Sequence, residues 1–211
     1  MKGNLIIITS PSGGGKGTLI REVRSAIPEI AYSVSLTTRA PRWGEEDGRD
    51  YHFVTPQEFK DCIESNGFLE YAEVHGNLYG TSKAQTERFT AVGRDVILEI
   101  DVQGAMSVMG TAPDAVSIFI MPPSFEVLQA RLTSRNTEDA AGLQLRLKNS
   151  RLEVQHYDRF KYLVINDEVR AASRAIASII LAERHLRIRQ TESIQAILDS
   201  FAPSKSSTSG E

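Results

Sequence analysis

With 211 residues, 24 lysines and arginines against 27 aspartates and glutamates, and a formal charge of −3, the chain has room for one α/β domain with inserted segments. That balance argues against a nucleic-acid binder that neutralises many phosphates, whereas small anionic ligands need only a local cluster of arginines. No run approaches the roughly 18 apolar residues of a membrane span, and the single cysteine, Cys62, excludes an intramolecular disulfide and suits a reducing compartment.

The first segment, NLIIIT, is a short apolar run that stops at a polar turn; it lacks the pattern of a secretory signal, and the expected location is the cytoplasm. Four further runs, at 32–36, 96–100, 116–121 and 162–165, share its richness in Val, Ile and Leu and predict strands buried on both faces. Helical periodicity follows most of them. After the first, Leu19, Val23 and Ile27 recur every four residues until Pro28. This alternation predicts an α/β fold with a parallel sheet flanked by helices.

Between the first strand and its helix lies SPSGGGKGT, residues 10–18. Glycines let the backbone wrap around phosphate oxygens, the helix offers unpaired amides, and Lys16 supplies a mobile positive charge. Against the pattern G-x-x-x-x-G-K-[ST], Ser10 replaces the first glycine and Gly17 takes the hydroxyl position, with Thr18 next. Pro11, Ser12, Gly13, Gly14 and Gly15 form the rest of the expected triphosphate cradle. The missing hydroxyl predicts that Mg²⁺, arriving with ATP, is held mainly by water and nucleotide phosphates rather than by a protein ligand.

The middle of the chain breaks the alternation. Residues 51–80 read as short strands around one helix, with Thr55 and Glu58 as a capping box, Pro56 at the first helical position and Gly67 at the exit. The preceding loop, SVSLTTRAPRWGEEDGRDY, carries Arg39 and Arg42 beside a proline, with Tyr51 following. Guanidinium groups bind phosphate bidentately, although an exposed basic loop has the same composition. In FLEYAEVHGNLYGTS, alternation places Glu70 on the face of Phe68, Ala72 and Val74, where a carboxylate needs a partner with two adjacent donors. A second insert, 124–157, is helical and bears arginines. Near the C-terminus, Ile194, Ile197, Leu198 and Phe201 form an apolar stripe that predicts core packing, with a dimer surface as the sharper alternative. Arg184, Arg187 and Arg189 read as a solvated or dipole-complementing helix end. The four histidines lack metal-ligand spacing.

Taken in order, SPSGGGKGT, SVSLTTRAPRWGEEDGRDYHF, FLEYAEVHGNLYGTS, ILEIDVQG and VINDE are similar to the segments of guanylate kinases, and the resemblance runs from about residue 5 to about residue 183. It implies a P-loop kinase fold with an inserted α+β GMP-binding subdomain and a helical lid, and ATP-dependent phosphorylation of GMP, with dGMP as a further acceptor. The corresponding division is a core of 1–33, 86–124 and 158–190, a GMP-binding insert of 34–85, a lid of 125–157, a C-terminal helix of 191–202 and a disordered tail of 203–211. By the same resemblance, Arg39, Arg42, Tyr51 and Tyr79 match positions that grip the GMP phosphate. Ser35, Glu70 and Thr81 match those that read guanine, with Asp101 nearby. Arg131, Arg135 and Arg146 match lid arginines that reach the transferring phosphate, and Asn166 lies in the segment approaching the adenine. Asn136 stands where the family usually has glycine. Neither nucleic acid nor membrane is an expected partner; monomer and homo-oligomer both remain open. Two other readings share the loop: a P-loop kinase acting on a sugar bisphosphate, and a non-catalytic scaffold domain that binds phosphorylated peptides.

Overall fold

The computed structural model describes residues 2–74, 76–134 and 140–201. In chain order the elements are β1 (Leu5–Thr9), α1 (Lys16–Ala26), β2 (Ala31–Tyr32), β3 (Leu36–Thr37), β4 (His52–Phe53), α2 (Pro56–Glu64), β5 (Phe68–Val74) and β6 (Asn77–Ser82). Then come α3 (Lys83–Ala91), β7 (Val96–Glu99), α4 (Val102–Thr111), β8 (Val116–Met121), α5 (Phe125–Ser134), α6 (Ala140–Glu153), β9 (Tyr162–Ile165), α7 (Val169–Arg184) and α8 (Thr191–Ser200). Five strands form a sheet in the order β2-β7-β1-β8-β9, all parallel, and four form a second sheet in the order β4-β3-β6-β5.

The Ile-rich run of β1 explains its central place. Ile6 and Ile8 point to one face, where Leu19 and Val23 of α1 and Ile176 and Ile180 of α7 cover them. Ile7 points to the other, against Leu98, Phe119, Val102, Ala105 and Val108 of β7, β8 and α4. All of these side chains are buried. A strand covered on both faces needs apolar residues at every position, and β1 has them. The second sheet closes over α2. There Thr55 Oγ1 accepts from Glu58 N at 3.2 Å, and Glu58 Oε2 accepts from Thr55 N at 2.7 Å, the reciprocal cap expected. Phe59 of α2 is fully buried and stacks on Phe68 at 4.5 Å.

Several expectations are corrected. The run at 32–36 is not one strand: β2 ends at Tyr32 in the parallel sheet, and β3 begins at Leu36 in the other. Ser33 is the pivot, its amide donating to Ile97 O and its hydroxyl to Gln85 Oε1. At the exit of α2 the left-handed residue is Asn66, with φ of 55°, not Gly67. Gly67 is required for space, since a Cβ there would lie 2.7 Å from Cys62 Sγ. The C-terminal stripe is not core: Ile197 and Leu198 are each 57% exposed and Phe201 81%. Arg184 is not a solvated helix end. It pairs with Glu29 at 2.8 Å and, at 2.5 Å, with the buried Asp95, which also accepts from Asn4 N. Among the described residues no helix is long and apolar enough to cross a membrane. Arg135, Asn136, His75 and the tail 203–211 lie outside the described residues.

Candidate active site

β1 delivers the chain to the glycine loop, and α1 begins at Lys16 with Gly15 as its N-cap and no capping side chain. The first-turn amides are thereby left for an anion. Gly13 and Gly15 have φ of 84° and 87°, a region costly for any residue with a Cβ. Gly14 is needed for another reason: a Cβ there would lie 2.7 Å from Ser10 Cβ. Ser10 itself fits, buried and donating its hydroxyl to Pro11 O. Lys16 Nζ donates to Ile100 O at 2.7 Å. Burial pulls the Lys16 ammonium below its ordinary pKa, and Glu99, Asp101, Glu153 and Glu70 pull against that shift. Thr18 is exposed at the start of α1.

The far wall of the loop comes from the end of the chain. Asn166, just past β9, donates its side-chain amide to Gly14 O at 2.8 Å, and Asn166 O accepts from Arg131 Nη2 at 3.0 Å. Arg131 Nη1 and Asn166 Oδ1 are buried without a hydrogen-bond partner among the described residues. A buried guanidinium nitrogen left unmatched beside a glycine loop is suited to a phosphate oxygen. Arg146 is half-buried on α6.

A cleft of about 630 Å³ runs from Lys16 and Gly17 to the second sheet. Glu70 lines it with Ala72 and Val74, but Phe68 does not share that face. A bulge between Phe68 and Glu70 turns Phe68 toward Phe59 and Tyr71. Thr81 Oγ1 donates to Glu70 Oε1 at 2.6 Å. Burial pushes the Glu70 carboxyl above the usual carboxylate range, the Thr81 hydroxyl opposes the shift, and Asp101 adds to it. Asp101 caps α4, accepting from Gly104 N at 2.7 Å. Ser35 joins the same lining.

Of the four residues expected to grip a phosphate, three come together. Arg39 lies 5.4 Å from the Tyr51 ring centroid, and Tyr51 and Tyr79 meet edge to face at 5.9 Å. Arg39 Nη2 also donates to both oxygens of Glu45, at 2.9 and 3.0 Å. Arg42 is exposed outside the cleft lining, where its backbone amide donates to Glu45 Oε2.

Comparison with known proteins identifies the family. Residues 2–183 match the family model described as guanylate kinase. The chain belongs to the guanylate kinase family. It is accordingly an enzyme, a nucleoside monophosphate kinase. A guanylate kinase of Clostridium perfringens is 46% identical over 183 residues, covering 87% of this chain and 85% of that protein. One of Nitrosococcus oceani is 43% identical over 198 residues, covering 94% and 98%. The crystal structure of guanylate kinase from Anaplasma phagocytophilum superposes with a TM-score of 0.76 at 32% identity, over 95% of each chain.

Three further residues of the site carry no signal in a linear reading. Glu99 Oε2 accepts from Tyr32 OH at 3.0 Å, and its Oε1 lies 3.5 Å from where a Cβ on Gly17 would sit. Glu45 takes both of its hydrogen bonds with Arg39 from Nη2, while Nη1 donates to Ala40 O. Gly104 stands beneath two carboxylates of the site: a Cβ there would lie 2.9 Å from Glu70 Oε2 and 3.3 Å from Asp101 Oδ1. The ILEIDVQG motif contains this glycine, but only the fold shows what it makes room for.

Proposed function

We propose that the chain transfers the γ-phosphoryl group of ATP to the phosphate of GMP or dGMP, releasing ADP and GDP or dGDP, in cytoplasmic purine nucleotide metabolism. The observation that carries this reading is that Lys16 and Glu70 open onto one cleft, the first beside the glycine loop and the second beside Thr81. Residues 10–18 would hold the triphosphate, with Asn166 bracing the loop from behind. Arg39, Tyr51 and Tyr79 would receive the GMP phosphate, Arg39 exchanging the Glu45 carboxylate for it. Arg42 must turn inward to join them. On this reading 34–85 forms the acceptor-binding insert and 125–157 the lid.

Catalysis here is positioning and charge stabilisation. The attacking phosphate oxygen is already ionised, so no general base is required. Lys16, Arg131 and Arg146, with Arg135, would offset the negative charge that two nucleotides bring together. Guanine N1–H and N2–H are adjacent donors matched to the two oxygens of Glu70, while Ser35, Thr81 and Asp101 complete the base pocket. Adenine offers an acceptor at N1 and would leave the carboxylate unpaired.

The oxygen-rich donors near Gly17, namely Glu99, Asp101 and Thr18, suit a hard cation held through its waters. Bound Mg²⁺ would supply charge neutralisation at the triphosphate, with Glu99 and Asp101 accepting from its water shell. Among the described residues no cluster of three or more acidic, His or Cys side chains could ligate it directly. ADP release from MgATP, measured with GMP, AMP, CMP, UMP and ribose 1,5-bisphosphate offered separately, tests the assignment. Release with GMP alone supports it; release only with the sugar bisphosphate overturns the acceptor.

A further inference from the structure

The outer bend of the glycine loop is held by α6, more than a hundred residues away. Ser12 N donates to Glu153 Oε2 at 3.1 Å. Ser150 Oγ lies 3.2 Å from Ser12 O and 2.8 Å from Arg146 O, so its one proton is shared between the two. Ser150 is buried and Glu153 half-buried. Arg146, Ser150 and Glu153 are spaced by four and three, which places them on one face of a helix. The last turns of α6 thus set a hydroxyl and a carboxylate against the loop, with Arg146 one turn before Ser150 on the same helix face. The neighbouring Gly13 abuts α5, where a Cβ would lie 2.8 Å from Leu132 Cγ, and Leu132 packs with Leu128 and Leu147 of α6.

We infer that Glu153 is a positioning residue for the triphosphate. Its carboxylate fixes the Ser12 peptide, and with Ser150 it anchors the last turn of α6 to the glycine loop, so that Arg146 on the same face is indexed to the phosphates. This rests on residues 10–18 being the triphosphate cradle.

The physical case has two parts. A loop of three glycines is entropically costly to order, and a charge-assisted bond to the residue before them restricts it before nucleotide arrives. The same carboxylate, with Ser150, also holds the last turn of α6 against the loop.

The test uses the full chain and four variants, with steady-state kinetics in both substrates, titration of a fluorescent ATP analogue, and thermal melting. Glu153→Ala should raise the KM for ATP and the analogue Kd about tenfold, leaving the KM for GMP within about twofold. Glu153→Gln keeps an acceptor at the same reach and should stay within about threefold of the parent. Glu153→Asp keeps the charge but withdraws it by one carbon–carbon bond, and should resemble the alanine variant; it serves equally if that variant does not fold. Lys16→Met is the control and should abolish analogue binding. Equal rises for ATP and GMP, an unchanged ATP KM in both Glu153→Ala and Glu153→Asp, or a glutamine variant as impaired as alanine would each overturn the anchor. Retained analogue binding in Lys16→Met would instead overturn the cradle on which it depends.

Discussion

On the proposed function, Glu70 is the residue on which acceptor choice turns. Its carboxylate lines the cleft, and Thr81 Oγ1 donates to its Oε1. Glu70→Gln replaces one acceptor by a donor that meets the guanine N–H edge head-on. The KM for GMP should rise roughly 100-fold while that for ATP stays level, read from initial rates with each substrate varied in turn. The pH dependence follows with a definite sign. Burial holds the folded pKa of Glu70 above its ordinary value, and only the ionised form accepts from N1–H and N2–H. GMP affinity is therefore full above that raised pKa and is lost as pH falls through it, earlier than for an ordinary carboxylate; Glu70→Gln should flatten the slope. Stability has the opposite sign: ionised Glu70 costs the folded state, and that cost is relieved on protonation. Gly104→Ala tests the same pocket sterically. A methyl group 2.9 Å from Glu70 Oε2 must displace the carboxylate, and about a tenfold rise in KM for GMP with no change for ATP is expected. The candidate role of Glu70 was legible from alternation, because a carboxylate on an apolar face asks for a partner. The turning away of Phe68 was not, because a bulge leaves no mark in the spacing of side chains.

At the scale of elements, what held locally was legible and what depended on distant contacts was not. β1, β8 and β9 have the bounds their apolar runs predict, and α2 has its reciprocal cap. These are decided within a few residues of chain. The break after Tyr32 is decided by Ile97 O and Gln85, partners about fifty residues or more away, so a run of apolar character crosses two sheets unnoticed. Arg184 is similar. From sequence it is one of three basic residues at a helix end; in the fold it holds the end of α7 to the start of the parallel sheet through Asp95. Arg184→Ala leaves a buried carboxylate with only the Asn4 amide for compensation, and should lower unfolding free energy by about 3 kcal/mol in urea titration. kcat should stay near the parent value at saturating substrates, because the pair sits at the N-terminal ends of β1 and β7, opposite the end of β1 that leads into the glycine loop.

For the whole molecule, the central arrangement is two sheets facing one cleft, with the glycine loop at one lip and Arg39 at the other. Both lips engage a carboxylate, Glu153 at Ser12 and Glu45 at Arg39. Two nucleotides arriving together would draw the lips inward and exclude water, so that the γ-phosphoryl group passes to the acceptor and not to water. Solution scattering should show a smaller radius of gyration with a bisubstrate analogue than with either nucleotide alone; unchanged dimensions would count against closure. The α/β class was legible as a whole because strand–helix alternation is a global pattern. The order of strands was not, and it has a consequence of its own for how the protein is made. β1 leaves the ribosome first, yet its two neighbours, β7 and β8, are paired through Val96–Glu99 and Val116–Phe119. At ~5–20 residues per second, the loop-bearing strand waits about 10 s with both edges open. Until residue 99 has emerged β1 has no partner strand, and until residue 119 it has only one, so nucleotide can act as a folding ligand only late in synthesis.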